Sequence, residues 1–228
     1  MTGPSVADLV VEAALRRPPR LGRTRLVCVD GPAGSGKTTL ADALVEAAAH
    51  RADQRAGPAA APTAGAVLLH MDDLYEGWSG LNDEVTDRLD RDVLAPLGEG
   101  RAGHYRRYDW HRGRFAEEHE VPVAELLLVE GCGSGAARYA DAITLLVWVE
   151  APRELRVRRG VERDGPGVLP HWRAWMTDEE RHFARQRTRD RADVRVDGTV
   201  DWRDGATALT FTGAGQPSGY EPGEPPAR

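Results

Sequence analysis

Gly31-Pro32-Ala33-Gly34-Ser35-Gly36-Lys37-Thr38 follows directly on the apolar run Arg25-Leu26-Val27-Cys28-Val29 and Asp30, and leads straight into a helical pattern over residues 37–49. This is the spacing G-x-x-x-x-G-K-[ST] in its required setting, with a strand before it and a helix after it. Glycines let the backbone turn tightly, so that successive N–H groups point inward at phosphate oxygens. Lys37 is predicted to reach the β- and γ-phosphates of a nucleotide, the Thr38 hydroxyl to sit on Mg²⁺, and the helix N-terminus to add its partial positive charge. Gly31, Ala33, Gly34, Ser35, Gly36, Lys37, Thr38 and Thr39 are the expected contacts of bound ATP.

Outward from this loop, continuous apolar runs recur at residues 66–70, 125–129 and 143–149, with a shorter, charged candidate strand at 192–197. Continuous runs, as opposed to alternating ones, are the pattern of parallel strands covered by helices on both faces. Helical patterns fall between them at 83–97, 153–159 and 172–191, with a short turn near 136–139. The reading is an α/β fold of the P-loop NTPase type: three α/β/α layers, a parallel five-stranded sheet and a helical lid. Ser5, with Asp8 three residues on, caps an N-terminal helix, and residues 1–20 are expected to pack on the core. Residues 21–212 form the main domain, with an acceptor loop at 98–122 and a lid at about 153–170. Residues 51–64, rich in Ala, Pro and Gly, read as an exposed loop, and residues 213–228 as a disordered tail.

Composition narrows the partners. A formal charge of −6 over 228 residues, with no dense basic patch, argues against nucleic acid. Lys37 stands among basic residues that are otherwise almost wholly arginine. The acidic Asp8 and Glu12 inside the first apolar stretch exclude a signal peptide or a membrane span. Cys28 and Cys132 give no metal-binding or disulfide spacing, which fits a reducing cytoplasm. ATP and a small-molecule acceptor are the expected partners; a homo-oligomer stays open.

Ligands of such sheets bind at the carboxyl ends of the strands, where Asp30, Asp72, Asp73 and Glu130 stand. Phosphoryl transfer needs one acid to accept the proton of the attacking hydroxyl and another to orient hydrated Mg²⁺. Asp72 suits the first task and Glu130 the second, so Thr38, Glu130 and Asp72 form the candidate metal set. Asp73 reads equally as a helix cap or a second Mg²⁺ contact, and Asp30 as a brace for the loop or a water-mediated Mg²⁺ contact.

The loop at 31–38, Met71-Asp72-Asp73-Leu74-Tyr75, Tyr108-Asp109-Trp110 and Leu128-Val129-Glu130-Gly131 together resemble uridine kinases and related P-loop small-molecule kinases, among them pantothenate kinase and phosphoribulokinase. The pattern is also similar to bacterial proteins called uridine kinase-like or ATP-binding. The resemblance implies a base at Asp72 with Tyr75 beside it, where Asp73 and Leu74 replace the Ser-Phe pair of the family's Asp-Ser-Phe-Tyr. It further implies a nucleoside site lined by Tyr108 and Trp110, base recognition by His111, and a magnesium role for Glu130. Aromatic residues interleaved with Arg106, Arg107, Arg112 and Arg114 suit a flat polar ligand, and Arg114 is a candidate contact. In the lid, Arg156, Arg159 and Arg163 share one helical face, with Arg153 a turn earlier; Arg159 and Arg163 are the candidate catalytic arginines. Trp172, Trp175, Met176 and Phe183 recur at helical spacing and read as packing, while Arg185, Arg187 and Arg189 are candidates for reaching adenine or the lid.

The expected activity is ATP-dependent transfer to a small-molecule hydroxyl, foremost the 5′-hydroxyl of a pyrimidine nucleoside such as uridine or cytidine. The alternatives are a nucleoside monophosphate kinase, a kinase of another metabolite or an antibiotic, and a non-kinase ATP-binding regulatory protein.

Overall fold

The computed structural model describes residues 4–56, 66–200 and 208–212. Helix α1 (Val6–Arg16) starts on a closed capping box, with the Ser5 side chain on the Asp8 amide and the Asp8 carboxylate returning to Ser5. Strand β1 (Arg25–Asp30) leads into the glycine loop, and α2 (Lys37–Ala56) leaves it. Strand β2 (Val67–His70) ends at a 3-10 turn, Met71–Asp73. Helix α3 (Asp83–Leu89), a π-wound segment Asp90–Leu94 and α4 (Ala95–Gly98) make one continuous path. Pro96 accounts for the widening, because its ring would press on the carbonyl of residue 92 in a regular α-helix.

Strands β3 (Gly103–Asp109) and β4 (Arg114–Val121) follow, then β5 (Leu126–Glu130) and β6 (Ile143–Glu150). Helices α5 (Arg153–Asp164), α6 (Leu169–Gln186) and α7 (Thr188–Arg191) precede β7 (Val194–Asp197) and β8 (Leu209–Phe211). The main sheet has the order β2-β5-β1-β6-β7-β8, parallel through β7 and antiparallel between β7 and β8. Helices on both faces make three layers.

Three expectations change. The sheet is six-stranded and mixed, not five-stranded and parallel, because three residues too short to register as a run pair with β7. Helix α2 continues through residues expected to form a loop and ends at Ala56; residues 57–64 of that expected loop, and the expected tail at 213–228, lie outside the described residues. The segment expected as an acceptor loop is a β-hairpin, β3 paired with β4. A register shift between Arg106 and Tyr108 breaks the strict alternation that marks a strand in sequence.

Period-two alternation sorts the parallel strands between two cores. In β1, Leu26 and Cys28 face the layer that holds Tyr75, Leu89 and Trp175, while Val27 and Val29 face the layer built from α1 and α2. Strand β6 divides likewise, Leu146 and Trp148 against Leu145, Val147 and Val149. No described helix is long and apolar enough to cross a membrane.

Candidate functional site

The carboxyl ends of β1, β2 and β5 converge on the glycine loop. Asp30 closes β1 fully buried, and its carboxylate accepts from the N–H groups of Gly31 (2.7 Å), Gly133 (2.9 Å) and Gly135 (2.9 Å). It braces the loop against the turn that follows β5. Burial pushes its carboxyl up to about 6, against the pull of those amides and of Lys37.

The N–H groups of Gly34, Gly36, Lys37, Thr38 and Thr39 have no in-chain backbone acceptor among the described residues. At Lys37, Thr38 and Thr39 this is the ordinary condition of a helix N-terminus, and it leaves a row of donors for an anion. Lys37 is nearly buried, with its ammonium on the Pro32 carbonyl at 3.0 Å. Burial alone would lower its pKa, but the nearby acidic side chains Glu130, Glu179 and Asp30 outweigh burial and raise it, so it stays charged.

Glu130 ends β5 and is almost fully buried. One of its oxygens, Oε1, accepts from the Thr38 hydroxyl at 3.2 Å and from His70 Nδ1 at 2.7 Å. The hydrogen bond to Glu130 is the main reason that the His70 pKa rises above its ordinary value. His70 has no counterpart among the residues selected from sequence; its position at the carboxyl end of β2, two residues before Asp72, was the available signal. Among the described residues no three His, Cys, Asp or Glu side chains are arranged to hold a metal ion. One threonine hydroxyl beside one buried carboxylate, next to a cradle of free amides, fits Mg²⁺ held largely by nucleotide oxygens and water.

Asp72 lies on the 3-10 turn after β2 with its surface open to solvent. Protein atoms nevertheless crowd around its carboxyl, and this partial desolvation, followed by the Glu130 charge, raises it above the usual range; Lys37 and Arg163 oppose the rise. The hairpin holds this turn from outside. Trp110 Nε1 donates to the Asp72 carbonyl at 2.9 Å, and the Tyr105 hydroxyl donates to Asp73 at 3.2 Å. Trp110 is the exposed edge of an aromatic wall, edge-on to Trp78 at 5.6 Å and to Tyr108 at 5.5 Å, while Trp78 stacks on His171 at 5.3 Å. The hairpin tip is fixed by Asp109, which accepts from the amides of His111 and Arg112, and by Gly113 at φ +63°.

Other expected residues sit elsewhere. Tyr75 is buried in the core and donates to the Cys132 carbonyl at 2.6 Å, so its hydroxyl does not line the open cleft. His111 and Arg114 are exposed at the hairpin end. Arg159 donates to the carbonyls of Gly34 (3.3 Å), Ser35 (3.5 Å) and Gly198 (2.9 Å), which ties it to the back of the loop. Arg163 is exposed and bonded twice to Asp164, and its charge reaches Asp72 and Glu130. Arg153 pairs with Glu180. Arg185 pairs with Asp83, Arg187 with Asp190 and Arg189 with Glu150, so each is engaged away from α5. Trp172, Trp175 and Met176 are core residues.

No family model and no curated protein matches the chain. Solved structures do. A Bacillus stearothermophilus protein described as a possible uridine kinase is similar with a TM-score of 0.54 at 19% identity, over 83% of this chain and 96% of that one. A structure described as YGR205w protein is similar with a TM-score of 0.51 at 10% identity, over 82% and 89% of the two chains. At these identities the likeness concerns the fold.

Proposed function

We propose that the chain transfers the γ-phosphoryl group of ATP to a hydroxyl of an uncharged, flat small molecule, foremost the 5′-hydroxyl of a pyrimidine nucleoside such as uridine or cytidine. The observation that carries this reading is the position of Asp72: an open carboxylate with a raised pKa, within the fields of Lys37 and Glu130, with Trp110 Nε1 donating to the Asp72 main-chain carbonyl. Mg²⁺-ATP, when bound, supplies the transferable group and offsets part of its charge. Lys37 and the loop amides hold the phosphates, Thr38 and Glu130 serve the metal, and Asp72 takes the acceptor proton. Arg163 is the lid arginine best suited to the moving charge: Arg159 is committed to the loop carbonyls, whereas Arg163 is held only by its chain neighbour Asp164 at the surface and has to release that carboxylate to act. Residues 21–212 are then the kinase domain, with the hairpin inside 98–122 as acceptor element and about 153–170 as lid.

The arginine census supports an uncharged acceptor over a nucleoside monophosphate. Arg106 is spent on the carbonyls of Phe115 and Ala116, Arg107 on Glu117, Arg112 on Asp109, and Arg88 on the Leu74 carbonyl and the Phe115 ring. Arg114 alone of the hairpin arginines has no in-chain partner among the described residues. For a monophosphate acceptor this leaves one uncommitted hairpin guanidinium, enough for a single bidentate contact.

The test is ATP consumption against nucleosides, nucleoside monophosphates, sugars and other hydroxylated metabolites, with the new phosphate located by ³¹P NMR. Turnover confined to nucleosides is expected; turnover confined to phosphorylated acceptors, or background rates throughout, refutes the reading. Within it, Trp110→Phe keeps a stacking ring but loses the indole donor. Its acceptor KM is expected to stay within about twofold while kcat falls, whereas Trp110→Ala raises acceptor KM by roughly three- to tenfold, the scale of one aromatic pair.

A further inference from the structure

Ala33, inside the glycine loop, has both its backbone polar groups taken by one ion pair from the lid side. Its N–H donates to Glu179 Oε2 at 2.8 Å, and its carbonyl accepts from Arg156 Nη1 at 3.2 Å. The pair is closed on itself, Arg156 Nη1 to Glu179 Oε1 at 2.8 Å, with side chains only 9% and 2% exposed. Arg156 comes from α5 and Glu179 from α6, so two helices grip the two successive peptide units that flank the Ala33 Cα, the second of which carries the Gly34 N–H. The grip is close: a Cβ on Gly34 would lie 2.6 Å from the Arg156 carbonyl oxygen. A buried ion pair contributes little net stability, because desolvation offsets its attraction. What it supplies is a fixed orientation, and the group it fixes belongs to the phosphate cradle.

We infer that Glu179 and Arg156 are positioning residues of the nucleotide site, which lock the backbone on both sides of Ala33 so that the neighbouring amides stay aimed at the phosphates. The inference rests on the proposed nucleotide-binding function. It is separable from a plain charge effect by its sign. Glu179→Gln removes a negative charge near the phosphates, so electrostatics alone makes ADP bind more tightly. Loss of positioning makes it bind more weakly.

Two measurements on the full chain test this. The first is ADP affinity by calorimetry with Mg²⁺; the second is hydrogen exchange of residues 31–36 in the nucleotide-free protein. For Glu179→Gln the expected results are affinity lower by about tenfold, the scale of one charge-assisted hydrogen bond, and faster exchange in that segment. Equal or tighter binding with unchanged exchange overturns the inference. If that variant does not fold, Arg156→Lys keeps the charge but cannot span Glu179 and the Ala33 carbonyl together; affinity within twofold of wild type and unchanged exchange overturn the inference there too. A wild-type chain that binds no nucleotide refutes the functional reading instead, while the exchange measurement still reports on the clamp.

Discussion

Asp72→Asn is expected to lower turnover by roughly 10² to 10⁴-fold, the usual worth of a positioned general base, with ADP affinity within about twofold of wild type. The asparagine keeps the shape and the Trp110 bond, which uses the main-chain carbonyl of residue 72, but cannot take a proton. Steady-state kinetics with the true acceptor, beside calorimetric ADP binding, separates the two effects. Because crowding and Glu130 hold the Asp72 carboxyl above its usual range, wild-type kcat/KM falls as pH drops through that raised pKa. The residual activity of the variant lacks that limb. Near-normal turnover of Asp72→Asn would remove the base assignment and with it the proposed mechanism.

Asp30→Ala is expected to cost about 3 kcal/mol or more of stability, because three buried N–H groups lose their acceptor at once. For a chain of this size that lowers Tm by about 6–12 °C in calorimetry. Nucleotide affinity falls with it, since the glycine loop and the turn after β5 share this one anchor. The pH dependence has an unusual sign. The folded-state pKa of about 6 lies above the ordinary carboxyl value of 3.8, so the folded chain binds the proton more strongly. The stability contributed by this group is therefore full at low pH and is lost as pH rises through about 6. The stability gap between wild type and Asp30→Ala should widen by about 2 kcal/mol between pH 7 and pH 4. A gap that narrows over that range would mean that the amides, not burial, dominate at Asp30.

The strands and the glycine loop were legible because their signals are local. An uninterrupted apolar run such as β6 is buried on both faces and admits little else, and Gly31 to Thr38 carries its own flanking strand and helix. Glu130 at the end of β5 and Asp72 on the turn just past β2 were singled out through the rule that parallel sheets bind at their carboxyl edge. The hairpin β3–β4 was not, because a bulge and exposed arginines hide its alternation. Glu179 offered no sequence signal: a glutamate in the middle of a helix reads as a solvated residue until the fold brings it to Ala33.

The arginines of α5 make the division plainest. Helical spacing by itself determined that Arg156, Arg159 and Arg163 share a face, and a spacing rule can say no more than that. Only the tertiary structure decided their partners, giving Arg156 to Glu179, Arg159 to the loop carbonyls, and leaving Arg163 within reach of the Asp72 and Glu130 charges. The sequence determined the α/β layering and the glycine loop, since backbone turn and strand burial are written within a few neighbouring residues. Which carboxylate stands free and which arginine is spent depends on residues from 23 to 146 positions apart, and packing alone brings those together.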